Sequence, residues 1–173
     1  MISEPLDFIS PKWLPGGHLQ TIYPATIGKK YLKKFYCIKY SREKWSTPDD
    51  DFIEIDWLKK NDINKPLLVL FHGLEGSSDS YYSILYANIA LTRGWKFAVV
   101  HFRGCSGKIN LAPRSYHAGD SNEIDWIIKR FNNHCIRFKC ELFAIGFSLG
   151  GNVLLKWAGE KSKKTNIFPN KLR

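Results

Sequence analysis

The sequence has few of the residues that build metal sites and no early segment suited to crossing a membrane. None of its four cysteines forms a C-x-x-C pair or stands at a zinc-like spacing from histidine, so no metal is expected, and reduced thiols in a cytoplasm are the simplest interpretation. The N-terminus carries Glu4 and Asp7 where a secretory signal would be basic. The longest early stretch without a charged side chain, 13–28, is broken by prolines and glycines, which excludes a transmembrane helix there.

Acidic residues are also scarce relative to basic ones, at 16 against 26, which gives a formal net charge of +10. The excess is concentrated in residues 28–40 and 161–173. Such patches can bind nucleic acid or an anionic membrane. No nucleic-acid-binding motif accompanies them, so a nucleic-acid partner is not expected. Two interpretations stay open: a solvated lysine-rich surface on a cytoplasmic protein, and a weak membrane-surface contact that would make the protein membrane-peripheral.

What is present is the composition of a globular domain, with 44% hydrophobic residues in a chain of 173. Residues 1–48, rich in proline, glycine and aromatics, are predicted to form an irregular N-terminal arm. The apolar side chains of residues 11–24 are too many to leave in water, so this part of the arm is expected to pack on the sheet or near the site. Residues 49–173 are predicted to form the domain itself.

The domain alternates predicted strands with predicted helices. Residues 51–58 alternate apolar and polar side chains, which indicates a strand with one buried face. Three continuous apolar runs favour strands that are covered on both faces. This order indicates an α/β fold with a mainly parallel sheet and helices on both faces, whose ligands bind at the carboxyl ends of the strands. The three apolar strands are predicted at 67–73, 95–102 and 141–147, and the helices at 76–94, 119–133 and 149–160.

The segment Gly146-Phe147-Ser148-Leu149-Gly150 has the G-x-S-x-G pattern of a nucleophile elbow, between a predicted strand and a predicted helix. Such an elbow presents a serine from a tight, strained turn. Gly146 and Gly150 remove side chains that would clash across that turn. We therefore predict Ser148 as a catalytic nucleophile, at the carboxyl edge of the sheet in an unfavourable backbone conformation. The alternative is an ordinary glycine-rich turn.

Acyl transfer through a serine also needs two donors for the oxyanion of the tetrahedral intermediate. One predicted donor is the backbone N–H of Leu149, at the start of the helix. The other is the N–H of Leu74, in the loop 71–78, where Gly73 lets the backbone approach the substrate. His72 is predicted to shape this loop rather than to act as a base.

Other polar residues near the strand ends have weaker assignments. Arg103 is predicted either to anchor its loop to a carboxylate such as Glu75 or Asp120 or to lie on the surface. Cys105 has no evident catalytic partner. Among the remaining histidines, His117 is the one that its position allows near the site.

Four segments, "HGLEGSS", "FRGCSG", "YHAGD" and "GFSLGGN", together resemble the α/β-hydrolase superfamily. The segment "PKWLPGGHLQTIYP" (11–24) is similar to the entry signature of its YheT-like branch, whose relatives include ABHD-type lipases and fungal ethanol acyltransferase/esterases. The resemblance covers residues 8–160. It implies a serine carboxylic ester hydrolase that acts on short- or medium-chain esters or acylglycerols through a Ser148 acyl-enzyme, with no cofactor. Leu74 and Leu149 would then supply the oxyanion donors.

The same resemblance implies a carboxylate and a histidine downstream of the elbow helix, yet no histidine follows His134. The triad Asp and His are therefore expected to be absent from this chain, which would be the N-terminal part of such a domain, with roughly 90 residues or more to follow. An acyltransferase of the same family and a non-catalytic truncated remnant stay open as alternatives. The uncovered edge of the sheet is expected to allow self-association.

Overall fold

The computed structural model describes residues 9–59 and 64–165. Five strands form one sheet, and helices lie before, between and after them. The strands are β1 (Tyr40–Ser46), β2 (Phe52–Leu58), β3 (Leu67–Phe71), β4 (Lys96–His101) and β5 (Leu142–Gly146). The helices are α1 (Gly17–Tyr23), α2 (Lys29–Phe35), α3 (Tyr81–Arg93), α4 (Ser121–Phe138) and α5 (Leu149–Thr165), with a π-helical turn at Pro24–Gly28 between α1 and α2.

The strand order is β1-β2-β4-β3-β5. β3 is parallel to both β4 and β5, whereas β2 is antiparallel to β4 and to β1. The predicted α/β fold and its parallel β3, β4 and β5 are confirmed, and the whole sheet is mixed because a hairpin precedes them. Among the described strands, β5 lies at one end of the sheet.

Residues 40–46 form a strand, and residues 17–35 are helical, so the prediction of an irregular arm is wrong for both segments. β1 escaped detection because its sequence, YSREKWS, contains one buried residue, Trp45, among exposed or half-buried ones. Pairing with β2 over the full register from Tyr40 to Ser46 makes it a strand. An edge strand needs partners for its backbone groups more than it needs an apolar pattern.

The helical arm packs against α3, but its apolar side chains are less covered than expected. Trp13 is 66% exposed and meets Tyr23 of the same arm edge-on at a ring separation of 5.1 Å. Lys171 and Arg173 of the basic C-terminal segment lie outside the described residues, as do residues 60–63.

The core has two layers, one on each face of the sheet. Alternate residues of β3 enter opposite layers: Val69 and Phe71 face α4 and α5, and Leu70 faces α3. Helices on both faces are therefore confirmed. The carboxyl ends of β3, β4 and β5 meet at one edge of this sheet, as parallel strands must, and the loops that follow them carry the predicted site.

Candidate active site

Ser148 lies between the last residue of β5, Gly146, and the first residue of α5, Leu149. It is exposed, and its φ of 53° is in the left-handed region that a side chain with a Cβ rarely adopts. The backbone around it is held on both sides: the Phe147 N–H donates to the Phe71 carbonyl at 2.9 Å, and the Asn152 N–H donates to the Ser148 carbonyl at 3.0 Å. The strand before the strained turn and the helix after it therefore hold the turn in place.

The glycines of the elbow are required by its backbone. A Cβ at position 146 would stand 2.5 Å from the Gly150 carbonyl oxygen and from the Gly151 nitrogen. A Cβ at position 150 would overlap the carbonyl oxygen of Phe71, on β3. The turn can therefore close this tightly only with glycine at both positions, which gives the G-x-S-x-G pattern a steric cause in this chain.

The loop after β3 lies beside the serine. A Cβ placed on Gly73 would stand 3.3 Å from the Ser148 Cβ and 3.3 Å from the Phe147 carbonyl oxygen. The structure thus brings together Gly73, Leu74, Ser148 and Leu149, four of the residues predicted for the site.

Some backbone N–H groups of this loop have a hydrogen-bond acceptor within the protein and others do not. Gly73 donates to the Tyr82 hydroxyl at 3.0 Å, Glu75 donates to the Tyr116 hydroxyl at 3.0 Å, and Gly76 donates to the Gly73 carbonyl at 3.0 Å. The Leu74 N–H, between them, donates to no group of the described residues. An N–H with no intramolecular acceptor, in a loop held in place on both sides, is available for a ligand oxygen.

The N–H of Leu149 is likewise free of an acceptor among the described residues. It is the first donor of α5, a helix of 17 residues, so the positive end of the helix dipole points at this side of Ser148. The two unpaired donors therefore belong to the segments on either side of the exposed serine.

His72 is fully buried and has both ring nitrogens engaged. Its Nε2 accepts the Phe102 N–H at 3.1 Å, so the proton is on Nδ1, which donates to the Gly73 carbonyl at 2.6 Å. Burial is the main cause that lowers the pKa of His72 to about 4. The ring is neutral at physiological pH and links β4 to the loop that holds Gly73, a geometry that leaves no lone pair for Ser148.

The other histidines of the described residues also make no hydrogen bond to Ser148. His101 is buried and bonds Asp56 at 2.8 Å, and His134 meets Trp57 at a ring separation of 5.2 Å. His117 is exposed, and its Nδ1 accepts the Gly119 N–H at 3.1 Å. A general base for the serine is therefore not placed at the site by the described part of the chain.

Arg103 is a buried anchor, but its partners differ from those expected. It donates to Asp51 and Glu123 at 2.8 Å and to Asp49 at 3.0 Å, so the expectation of Glu75 or Asp120 is wrong. Burial alone would lower the pKa of Arg103, and the carboxylates outweigh burial and raise it. The acids that bind it lie in the β1–β2 turn and on α4, and the unpredicted β1 strand is what positions that turn. Asp120 instead pairs with Arg114.

A second buried group supports the loop that carries Leu74. Asp56, on β2, accepts the Ser78 hydroxyl at 2.5 Å, and Arg42 and His101 bind the same carboxylate. Burial would raise the pKa of Asp56, but these hydrogen bonds outweigh it and lower the pKa. The Asp56 carboxylate bonds both the Ser78 hydroxyl and His101, and it lies between them. This set therefore stabilises the loop and is not a nucleophile with its base.

Sequence reasoning missed the residues that hold the loop. Tyr82, on α3, stacks on Phe147 at a ring separation of 3.9 Å while its hydroxyl accepts the Gly73 N–H. Tyr116 stacks on Phe102 at 5.3 Å while its hydroxyl accepts the Glu75 N–H. Tyr116 lies 41 residues from Glu75 and Tyr82 nine residues from Gly73, and no local pattern distinguishes either tyrosine from a core aromatic. Cys105 is half-buried, and burial raises the pKa of its thiol, which disfavours a thiolate.

Among the described residues, no group of three or more His, Cys, Asp or Glu side chains is placed to hold a metal ion. The arrangement can instead offer a hydroxyl and two backbone donors to a carbonyl group. That is a part of the chemistry of acyl transfer.

Comparison with known proteins agrees with this fold. Residues 66–170 match the family model described as alpha/beta hydrolase fold. The protein YheT of Escherichia coli (strain K12), classed by name among the esterases, is 34% identical over 154 residues, which is 88% of this chain and 43% of YheT. The monoacylglycerol lipase of Saccharomyces cerevisiae is 30% identical over 131 residues, 73% of this chain and 26% of the lipase.

Among solved structures, the esterase Est22 superimposes with a TM-score of 0.58 at 17% identity, over 86% of this chain and 46% of Est22. At that identity the likeness shows the fold alone. The chain thus spans less than half of the length of each of these relatives.

Proposed function

This chain belongs to the alpha/beta hydrolase family, and on that premise we propose that it carries the nucleophile and the oxyanion hole of a serine carboxylic ester hydrolase. Ser148 Oγ would attack the ester carbonyl carbon, and the carbonyl oxygen would become the oxyanion. The Leu74 and Leu149 N–H groups would donate to that oxygen. Collapse of the intermediate would break the bond to the alcohol oxygen and leave an acyl group on Ser148, which water then removes.

One observation supports this proposal more than any other. The Leu74 N–H is an unused donor between two neighbouring donors that are fixed by Tyr82 and Tyr116, and Gly73 beside it approaches Ser148. Two preorganised donors beside a serine cost no reorganisation when the oxyanion forms. An ordinary glycine-rich turn has no need of this arrangement.

The serine still needs a base to take its proton and an acid to protonate the leaving alcohol. None of the histidines of the described residues bonds to Ser148. By family, a histidine and its orienting carboxylate would come from outside the described residues. The mechanism needs no metal and no organic cofactor.

The proposed substrates are small-molecule carboxylic esters of short or medium acyl chains, or acylglycerols. The relatives named an esterase and a monoacylglycerol lipase support this class. An acyltransferase, in which an alcohol replaces water in deacylation, would use the same Ser148 acyl-enzyme. We further propose a cytoplasmic protein with a peripheral membrane contact, consistent with the free thiols of Cys37, Cys105, Cys135 and Cys140.

Acylation of Ser148 tests the proposal without requiring the missing base. The chain is incubated with p-nitrophenyl acetate in the presence of imidazole as a free base, and acetyl groups are located by peptide mass spectrometry. Release of p-nitrophenol is not a useful signal, because imidazole hydrolyses the ester by itself. We expect acetylation at Ser148 that depends on imidazole and exceeds that at the exposed Ser115, in the neighbouring loop.

The matched variants are Ser148→Ala and Ser115→Ala. The first is expected to abolish the imidazole-dependent label and the second to leave it unchanged. Equal labelling of Ser148 and Ser115 would overturn the proposal, because it would show that the elbow does not activate its serine.

A further inference from the structure

The exposed apolar side chains of the described residues are concentrated in two places. One is the helical arm, which carries an apolar row spaced along α1, the π-helical turn and α2. The other is the pair of loops that follow β3 and β4, where Leu74, Ile109 and Leu111 are 69%, 93% and 72% exposed. The row consists of Leu19, Ile22, Ile27, Tyr31 and Phe35, which are between 49% and 76% exposed.

The row follows one side of the arm. Its steps are three, five, four and four residues, each about one helical turn. The five-residue step, from Ile22 to Ile27, crosses the π-helical turn at Pro24–Gly28, in which a turn takes more residues than in an α-helix. Trp13, which precedes the arm helices, adds a further exposed aromatic.

Lysines flank this row on α2. Lys30 and Lys34 are exposed, each directly precedes an aromatic residue of the row, and neither forms an ion pair with a described residue. An exposed apolar row beside lysines is the pattern of a helix that lies in the plane of a membrane interface, with apolar side chains among the acyl chains and lysines at anionic headgroups.

The arm reaches the edge of the sheet that carries Ser148. Lys33 of α2 pairs with Asp79 at 2.6 Å, and Asp79 lies in the same loop as Gly73 and Leu74. This ion pair places α2 beside the loop that carries the exposed Leu74.

We propose that this edge is a membrane-docking surface, in which the apolar row of the arm and its flanking lysines bind an anionic lipid bilayer. A second copy of this chain fits the surface less well, because a symmetric contact would bring the lysine pairs of two strongly basic proteins together. No helix among the described residues is long and apolar enough to cross a membrane, so the contact is peripheral. Docking would set the candidate nucleophile beside the lipid surface.

Vesicle co-sedimentation at low ionic strength tests the proposal. Vesicles of phosphatidylcholine alone are compared with vesicles of phosphatidylcholine and phosphatidylglycerol. We expect the chain to sediment with the anionic vesicles and to be released as salt is raised, because salt screens the lysine contribution. Sedimentation that is equal with both kinds of vesicle, or absent with both, would overturn the proposal.

Variants separate the two contributions. Lys30→Gln with Lys34→Gln is expected to lower the partition coefficient for anionic vesicles at least tenfold, since each lysine near an anionic surface contributes severalfold. Tyr31→Ser with Phe35→Ser is expected to weaken binding to the same vesicles at any salt concentration. All four side chains are exposed, so circular dichroism should show an unchanged fold.

The control removes the same charge elsewhere. Lys65 and Lys139 are exposed and precede β3 and β5, at the opposite edge of the sheet. Lys65→Gln with Lys139→Gln is expected to bind as the parent chain does, and an equal loss of binding would show attraction by net charge alone, which overturns the proposal. Ser148→Ala should bind vesicles normally, so this inference and the proposed catalytic role can fail separately.

Discussion

Gly73 lies directly against Ser148, so that a Cβ on the glycine would stand 3.3 Å from the Cβ of the serine. This approach links the loop after β3 to the elbow after β5, two strands that are neighbours in the sheet and 75 residues apart where Phe71 pairs with Gly146 in register. The residue that precedes Leu74 is brought beside the serine by that pairing. The stability of this edge and its chemistry therefore depend on the same contacts.

Gly150→Ala is expected to destabilise the fold strongly. The added Cβ would overlap the carbonyl oxygens of Phe71 and His72, which belong to backbone that cannot move without breaking the sheet. A loss of at least about 2 kcal/mol in the free energy of unfolding is expected from urea denaturation. Gly159→Ala, in the same helix with no atom within 4 Å of the new Cβ, should instead stabilise by about 0.5–1 kcal/mol. Equal effects of the two substitutions would contradict the steric account of the elbow.

Stability is expected to fall as pH is lowered from about 6.5 to about 4, because of His72. Burial lowers the folded-state pKa of this histidine to about 4, below the ordinary value of 6.5. Between those values the unfolded chain binds more protons than the folded one, so stability is complete above pH 6.5 and lost as pH falls. The expected loss is about 3 kcal/mol by pH 4.

Urea unfolding at a series of pH values measures this slope. His134 contributes in the same direction, because burial and the nearby Lys96 lower its pKa as well. His72→Gln should flatten the dependence in this window, because it removes the buried group whose pKa is lowered. A slope that is unchanged by His72→Gln would contradict the assignment.

The outer edge of β5 is expected to support self-association. β5 ends the described sheet, and its Phe143 is 42% exposed and stacked on Trp95. Unpaired backbone groups beside an exposed aromatic favour edge-to-edge pairing. Phe143→Lys should shift the chain toward monomer in sedimentation velocity experiments, whereas Ile136→Lys, on the exposed side of α4, should not. The idea fails if the two variants change the mass distribution equally.

The chain by itself is expected to show little turnover. With no described histidine bonded to Ser148, the serine has no general base among the described residues. In a complete serine protease, loss of the base and its partner costs of order 10⁶-fold in turnover. Hydrolysis of p-nitrophenyl butyrate without imidazole should therefore match that of Ser148→Ala. Rapid hydrolysis that Ser148→Ala abolishes would require a base in this chain, and the exposed His117 would then be the first candidate.

Local patterns were sufficient to predict the parallel part of the sheet. The continuous apolar runs favour buried strands and became β3, β4 and β5. Gly94, at φ 66°, caps α3 at the end of the helix predicted over 76–94. The elbow could also be predicted from local sequence, because the backbone of the turn requires its glycines and the whole motif spans five residues.

Long-range pairing explains what the sequence did not reveal. β1 is a strand because β2 offers it a hydrogen-bonding edge, and its polar sequence contains no sign of this. The partners of Arg103 became clear only when β1 and β2 placed Asp49 and Asp51 in one turn. Tyr82 and Tyr116 hold the Leu74 loop through their hydroxyl groups, which no spacing rule encodes.

The most direct test of the account is the rate at which Ser148 is acetylated in Leu74→Pro compared with Leu74→Ala. The Leu74 side chain is 69% exposed, so alanine keeps the backbone donor and removes little packing, whereas proline removes the N–H itself. The experiment uses imidazole and p-nitrophenyl acetate, with urea unfolding to verify that both variants keep the fold. The account predicts a rate near that of the parent chain for Leu74→Ala and a decrease of about a hundredfold or more for Leu74→Pro. Equal rates in two folded variants would contradict the oxyanion hole and, with it, the central claim.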